Sequence, residues 1–409
     1  MNQFFRVRSL EEVFALIDEF PCLADEEVPV QDACLRTLAQ TIKACEDIPG
    51  FRRSTMDGYA VAARATYGAS DSNPAWLGLT GGVAMGEVPD FTLNYGQAAR
   101  ISTGGMLPEG ADSVVMIEHA DPVGEDALEV YKSVAPMQHV IERGEDFAAD
   151  ETILTPGTLI RPQEAGLAAA LGVSRLKVFK RPRVGILSTG DEVVPIDQTP
   201  GMGEIRDINS YTLAGLVQEA GAEPVLYGIV KDDEQALFRA VEKGVKETDM
   251  LMISGGSSVG VRDFTIDTFA RLENTEMKVH GISISPGKPT ILAKSGRKPV
   301  WGLPGHVVSA MVVFKIVVMP FLKKIQGRSD ILTANLKIPA VLSRNIVSAQ
   351  GRRDFIRIRF RKKENTLFAE PVLGKSGLIR TMVHAHGLLE ISENLEGIEK
   401  NTRVEIIPL

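Results

Sequence analysis

Cysteine is nearly missing from this chain: three residues in 409, Cys22, Cys34 and Cys45, all near the N-terminus. Their spacing fits no zinc pattern and no second Cys/His cluster joins them, so they read as free thiols of a cytoplasmic protein. Aromatic residues make up only 6% of the sequence, and positive charge is not in excess, the formal net charge being −8. A phosphate backbone needs a basic footprint, so this balance argues against nucleic-acid binding while leaving room for a local basic pocket. Long apolar runs are also missing. The most apolar stretch, His306 to Leu322, is broken by Lys315 and Pro320 and is short for a membrane span, which predicts a buried helix and no membrane partner. The N-terminal MNQFFRVRSLEEVFALIDEF carries acidic residues through its apolar part and no small-residue cleavage site, unlike a signal peptide.

What is present is the composition of a globular protein, 44% hydrophobic and 24% charged, at a length that predicts two to four domains. Ser9 and Glu12 form a capping-box pattern, and residues 1–45 carry apolar positions at helical spacing. From 46 to 146 glycine and proline become frequent and short β-prone stretches such as GQAARIST and DSVVMIEHA alternate with turns. Helical texture returns at RPQEAGLAAALGV, with Pro162 suited to a first turn and Gly172 to a stop. A discontinuous helical domain (1–45 and 147–178) interrupted by an inserted β-rich domain (46–146) is therefore expected. Between 179 and 328, apolar runs (RVGILST, EPVLYGIV, DMLMIS) alternate with amphipathic segments, the signature of βαβ units and a doubly wound parallel sheet. Beyond 329, GRRDFIRIRFRKKEN alternates Arg with Ile and Phe at period two, predicting a C-terminal β domain (329–409). The fold class is multidomain α/β.

In open α/β sheets ligands bind beyond the carboxyl ends of the strands. That rule selects three loops: Thr189 to Glu192, Lys231 to Asp233, and Gly255 to Gly260 followed by Asp263. Each taken alone is an ordinary cap or turn. Together on one sheet edge, glycines that admit phosphate oxygens and carboxylates that can hold a divalent cation predict a site for a metal-bound or phosphorylated ligand. The third loop also matches the G-x-S-x-G nucleophile elbow at Gly256 to Gly260. No oxyanion-hole segment accompanies it, however, and Asp263 reads as the cap of a helix that begins later than an elbow requires. Two Pro-Gly turns, SPGKPTIL and GLPGHVVSA, would form a rigid rim.

The motifs STMDGYAV, ISTGGMLPEGADSVVMIE, STGDEV, ISGGSSVGVRDF, PGKPT and GLPGHVVSA occur in an order that resembles the molybdopterin molybdotransferases, the MoeA and gephyrin E-domain family, over essentially the whole chain. The resemblance implies insertion of molybdate into adenylylated molybdopterin with release of AMP, assisted by magnesium. It also implies a homodimer that receives substrate from a molybdopterin adenylyltransferase and hands product to molybdoenzymes. Carried over by motif, Asp57, Thr103, Glu192, Asp232 and Asp263 would be catalytic, the last three also holding the metal. Gly255, Gly256, Ser257, Ser258, Gly260, Lys288, Pro304 and Arg352 would bind the pterin substrate.

The sequence departs from that pattern in three places. Gly281 and Ser285 stand where the family usually carries lysines, a loss of cations near an oxyanion pocket. His306 and Val307 replace the Asn and Pro of the usual PGNPVS-like turn, and Arg380 with Thr381 replaces small hydroxyl residues. Arg380 is a candidate to restore the missing positive charge, as are Arg262, His280 and Lys288. The departures keep open a second reading, a paralogue on the same scaffold that handles tungstate or binds the pterin without catalysis. A serine hydrolase acting through Ser258 is a third, distinguishable by fluorophosphonate labelling. A receptor-clustering scaffold would need an appended domain or a long linker, of which the sequence has neither.

Overall fold

The computed structural model describes residues 7–255, 259–332 and 336–409, excluding the side chains of 259–264. The chain divides into two compact units, one made of Thr41–Thr155 with Leu167–Val173 and the other of the remainder.

The first unit is built on a six-stranded sheet in the order 113–116, 58–61, 97–101, 75–83, 127–130, 120–123. Alternation along these strands buries Tyr59, Val61, Leu77, Ala98, Val115 and Leu128 in one apolar layer, and Ala60, Ala99, Ile101 and Val114 in another.

In the second unit the capping box is formed as expected. Ser9 Oγ accepts from Glu12 N–H (3.2 Å) and Glu12 Oε2 from Ser9 N–H (2.8 Å). The helix it opens is short, Leu10–Phe14, and most of residues 15–45 is not helical. Pro21 and Pro29 limit any helix there, and Asp25–Pro29 pairs antiparallel with Arg175–Phe179 instead. Cross-strand ion pairs Arg175–Glu27 (2.9 Å) and Lys177–Asp25 (3.5 Å) explain the charges that helical spacing misread. The helix after Arg161 spans Pro162–Ala170 and stops before Gly172, as predicted.

The α/β domain follows the expected alternation: β1 (Arg183–Thr189), β2 (Val193–Val194), β3 (Ile205–Arg206), α1 (Asn209–Glu219), β4 (Glu223–Val230), α2 (Glu234–Glu247), β5 (Met250–Ser254), α3 (Val259–Arg271), β6 (Thr275–His280), β7 (Ile284–Ser285), β8 (Ile291–Ser295) and β9 (Lys298–Leu303). The sheet order is β4-β1-β5-β9-β8-β6. The first four strands run parallel, and β8 and β6 extend the sheet antiparallel. Val184, Ile186, Met250, Met252 and Trp301 are fully buried, each contributing about 1.5–3 kcal/mol. Trp301 packs edge-on to Phe321 at 5.0 Å between centroids, and Phe321 likewise to Phe20 at 5.4 Å. The apolar stretch after Pro304 is helical from α4 (Val307–Val313) through a π turn at Phe314–Val318 to α5 (Met319–Ile325). The π turn lies just ahead of Pro320, which lacks the N–H that regular α geometry would use.

The C-terminal domain contains β10 (Ile338–Leu342), β11 (Arg353–Lys363), β12 (Thr366–Pro371), β13 (Gly387–Ile391) and β14 (Arg403–Pro408). They run β11-β12-β10-β14-β13, and β13 pairs back onto β11, closing a barrel around Leu342, Ile358, Leu389 and Ile406. The short β7 joins β11 in parallel, Ile284 opposite Arg353 and Ser285 opposite Asp354.

Candidate functional site

The parallel order of β4, β1, β5 and β9 places the ends of four strands side by side, and the loops chosen from sequence meet there. They are interlocked. Thr189 Oγ1 donates to Asp232 Oδ1 (3.0 Å), Asp232 N–H donates to Asp191 Oδ1 (3.1 Å), and Lys231 Nζ donates to the Asp191 and Val193 carbonyls (2.7 and 3.2 Å). Asp233 is spent on capping α2, its Oδ1 accepting from Ala236 N–H.

A pocket of about 120 Å³ opens beside these loops, with Ser188, Thr189, Glu192, Asp207, Asn209 and Gly255 among its walls, and Gly305, His306 and Gly377 opposite. Gly255 has φ +124°, and a Cβ there would sit 2.1 Å from the Thr189 carbonyl oxygen, so β1 and β5 can close on one another only with glycine at this position. Asp207 is buried, and its Oδ1 accepts from Ser188 Oγ (2.9 Å) and Ser210 N–H (3.1 Å). Asn209 Nδ2 ties the Ser254 hydroxyl to the Gly305 carbonyl (2.8 Å). The walls are thus preorganised, while the Glu192 carboxylate is exposed beside Gly190. Asp207, Asn209 and Ser188 escaped the sequence reading. The one signal was Asp207 three residues before Ser210 at a helix start, which looks like capping alone.

The C-terminal domain reaches the same pocket. Ser376 Oγ shares a hydrogen bond with His306 Nδ1 (2.8 Å), and the Ser376 carbonyl accepts from Val308 N–H (3.1 Å). Behind that loop, Arg357 donates from Nη1 to Thr381 Oγ1 (2.9 Å) and from Nη2 to the Gly374 carbonyl (2.8 Å). Burial pulls the Arg357 guanidinium below the usual arginine range.

Of the residues chosen from sequence, Glu192 and Gly255 line this pocket, and Pro304 is buried one residue before it. Asp232 sits one hydrogen bond behind, through Thr189. Lys288 is exposed and is not a wall of it. Arg352 is half-exposed and turned to Asp354, its Nε donating to Oδ1 (2.9 Å). Asp57 and Thr103 come together in the other compact unit, Asp57 Oδ1 accepting from Thr103 N–H (2.8 Å) and Oγ1–H (3.2 Å). Gly256, Ser257 and Ser258 lie outside the described residues, as do the side chains of Asp263 and Arg262, and Gly260 is described only as part of α3.

Two expectations need correction. Helix α3 begins at Val259, so Asp263 is not its cap, and a late helix start is no argument against an elbow at Ser258. Arg380 does not reach the pocket: its Nε donates to His384 Nε2 (3.2 Å) one helical turn away. Gly281, where the sequence lacks the family's usual lysine, is buried at φ +100°, its N–H donating to the Thr290 carbonyl (2.9 Å).

Comparison with known proteins bears on the whole chain. Residues 8–172 match the family model "MoeA N-terminal region (domain I and II)", 185–324 the model "Probable molybdopterin binding domain", and 339–409 the model "MoeA C-terminal region (domain IV)". The chain is 35% identical over 319 residues to a molybdopterin molybdenumtransferase of Nostoc sp., covering 77% of this chain and 73% of that one. It is 30% identical over 386 residues to the molybdopterin molybdenumtransferase of Bacillus subtilis, covering 93% and 89%. The crystal structure of a molybdopterin biosynthesis MoeA protein from Pyrococcus horikoshii OT3 superimposes with a TM-score of 0.84 at 32% identity, covering 99% of this chain and 100% of that one.

Proposed function

The chain belongs to the MoeA family, and from that premise we propose that it is a molybdopterin molybdenumtransferase, an enzyme of molybdenum cofactor biosynthesis that takes adenylylated molybdopterin and molybdate and releases AMP. The observation that carries this reading is the convergence of Glu192 and Gly255, from two separate motifs, on one pocket at the strand ends.

In this reaction two Mo–S bonds form as one Mo–O bond breaks, molybdenum stays Mo(VI), and the one displaced oxygen leaves as water with the two thiol protons. Hydrolysis of the phosphoanhydride consumes one water and frees AMP. Among the described residues no group of three or more His, Cys, Asp or Glu side chains is arranged to hold a metal; Glu192 and Asp232 would offer hard oxygen donors to magnesium, an ion held by one or two carboxylates together with substrate phosphates. When bound it would neutralise phosphate charge. The chain's own residues do the rest. Glu192 takes part in metal or water orientation at the open side of the pocket. Thr189 holds the Asp232 carboxyl oxygen in place. Asp207 and Asn209 keep the pocket walls fixed, so that binding costs little reorganisation. Asp57 and Thr103 serve as a prealigned carboxylate–hydroxyl pair, and Asp263, Lys288 and Arg352 belong to the same proposal. The glycine-rich segment after Gly255, with Gly256, Ser257, Ser258 and Gly260, supplies close approach for a phosphate. We place the enzyme in the cytoplasm as a homodimer, between a molybdopterin adenylyltransferase and the molybdoenzymes it supplies.

The test is in vitro metal insertion from adenylylated molybdopterin with molybdate or tungstate, read as AMP release and as activation of an apo-molybdoenzyme. AMP release with neither oxyanion sinks the proposal. A preference for tungstate favours the paralogue, a reading supported by the missing cations at Gly281 and Ser285.

A further inference from the structure

The barrel carries the opposite charge from the rest of the chain. From residue 329 to 409 there are 13 Lys and Arg against 9 Asp and Glu, a net of +4, which leaves −12 on the remainder of a chain at −8. The excess gathers on one hairpin. Period-two alternation along β11 turns Ile356, Ile358 and Phe360 to the barrel interior and Arg359, Arg361 and Lys363 outward. Opposite those three on β12 stand Glu370, Phe368 and Thr366, so Glu370 is the one carboxylate among the six. Arg359 bonds it (2.7 Å), and that bond, helped by the charges of Arg361 and Arg344, holds its carboxyl below the ordinary glutamate range. Arg344 is anchored close by on the Pro371 carbonyl (2.6 Å). Arg361, Lys362 and Lys363 are exposed and make no ion pair among the described residues. The same stretch has a free backbone edge. β13 pairs with β11 only as far as Ile358, while β12 lines the opposite side from there on. The Arg357 carbonyl accepts from Val372 N–H on the β12 side (2.8 Å). On the other side the Ile358 carbonyl accepts from His386 N–H (2.7 Å), and Phe360 N–H donates to His386 Nδ1 (3.0 Å). By that alternation the Phe360 carbonyl and both backbone groups of Lys362 face away from β12, with no strand paired to them among the described residues. Cations on such an edge ordinarily keep other strands away. For an acidic strand the effect reverses. Alternate residues of an extended chain lie about 6.7 Å apart, so carboxylates at every second position repeat in step with Arg359, Arg361 and Lys363 while the backbone pairs with the open edge. A nucleic acid would leave that edge unused and would meet the overall charge of −8.

We propose that residues 359–363 of β11 form a docking edge for an acidic, extended segment of a partner protein, which adds a strand beyond β11 and sets alternate Asp or Glu side chains against Arg359, Arg361 and Lys363. The probe is a fluorescent peptide of Glu-Thr repeats, read by anisotropy against the full-length protein at about 50 mM salt, where exposed charges are weakly screened. It should bind at least about fivefold tighter than a peptide of the same composition with its glutamates in one block, and a Lys-Thr repeat should not bind. Arg361→Ala and Lys363→Ala should each weaken it about fivefold, with melting curves and AMP release unchanged. Lys362→Pro removes the outward N–H and should weaken it at least about threefold more than Lys362→Ala, which removes only the charge. Failure of the Glu-Thr peptide to bind, equal binding of the two glutamate peptides, or binding indifferent to Arg361→Ala and Lys363→Ala overturns the docking edge. Tighter binding of a single-stranded oligothymidylate, weakened by the same variants, would assign the patch to nucleic acid and overturn it. So would loss of self-association in Arg361→Ala, which gives the edge to a second copy, or loss of AMP release, which gives it to the substrate.

Discussion

His306 Nδ1 and Ser376 Oγ lie 2.8 Å apart, a hydrogen bond that fastens the loop after β12 of the barrel to the start of α4 in the α/β domain. The same loop is held from behind by Arg357 through Thr381 and Gly374. Ser376→Ala removes one bond, worth about 1 kcal/mol, and should leave the global melting transition nearly unchanged. If the loop shapes the pocket, KM for the pterin substrate rises several-fold in steady-state assays while kcat holds. Arg357→Lys keeps the charge but not the two-pronged bond, and should reproduce the KM effect.

Asp57 and Thr103 allow charge to be separated from geometry. Asp57→Asn keeps an oxygen that can accept the Thr103 N–H, whereas Asp57→Ala does not. A catalytic carboxylate predicts that both variants lose at least about tenfold in kcat with normal melting curves. A purely structural carboxylate predicts that Asn is nearly wild type.

Gly255→Ala is expected to be severe, because a methyl group would lie 2.1 Å from the Thr189 carbonyl oxygen. The ends of β1 and β5 would have to separate, costing on the order of 2 kcal/mol or more and disordering the pocket walls. Urea denaturation together with AMP titration tests this. Unchanged stability and binding would show that the close approach is dispensable.

A pH-dependent contribution comes from far outside the pocket. Glu19 bonds Lys278 (2.7 Å) and Lys294 (3.4 Å), and Lys278 also bonds Glu276 (2.7 Å). The Lys278 bond holds the Glu19 carboxyl below the ordinary glutamate range, and Glu19 followed by Glu276 raises the Lys278 ammonium. A depressed carboxyl stabilises the fold above its unfolded value near 4.5 and loses that contribution as pH falls through its folded value. A raised ammonium stabilises below its unfolded value near 10.5 and loses it as pH rises further. Glu19→Gln should therefore cost on the order of 1 kcal/mol at neutral pH, and its melting curve should converge with wild type toward pH 3. A gap that persists in acid would assign the loss to packing.

The α/β domain was legible because its strands are continuous apolar runs separated by amphipathic helices, and parallel topology then fixes where the loops gather. That is why Glu192 and Gly255 could be named before the pocket was known. Asp207, Asn209 and Ser376 were hidden because their partners are remote or local caps look alike: Ser376 meets His306 across 70 residues, and Asp207 resembles an ordinary helix start. The Asp25–Pro29 strand was misread for the same reason. Its pairing partner lies about 150 residues away, and helical spacing in a short acidic segment carries little information. The position of Asp263 relative to its helix depended on where the chain turns after β5, which glycines leave undetermined.

The two-residue strand Ile284–Ser285 has a consequence for how this protein can be divided. By sequence the barrel begins after residue 328, yet one of its β-ladders starts in the α/β domain, with Ser285 facing Asp354. A cut at 328 would strip Arg353 and Asp354 of their neighbour and leave an open ladder on each piece. Neither half could be exchanged for a relative's without carrying the matching splice.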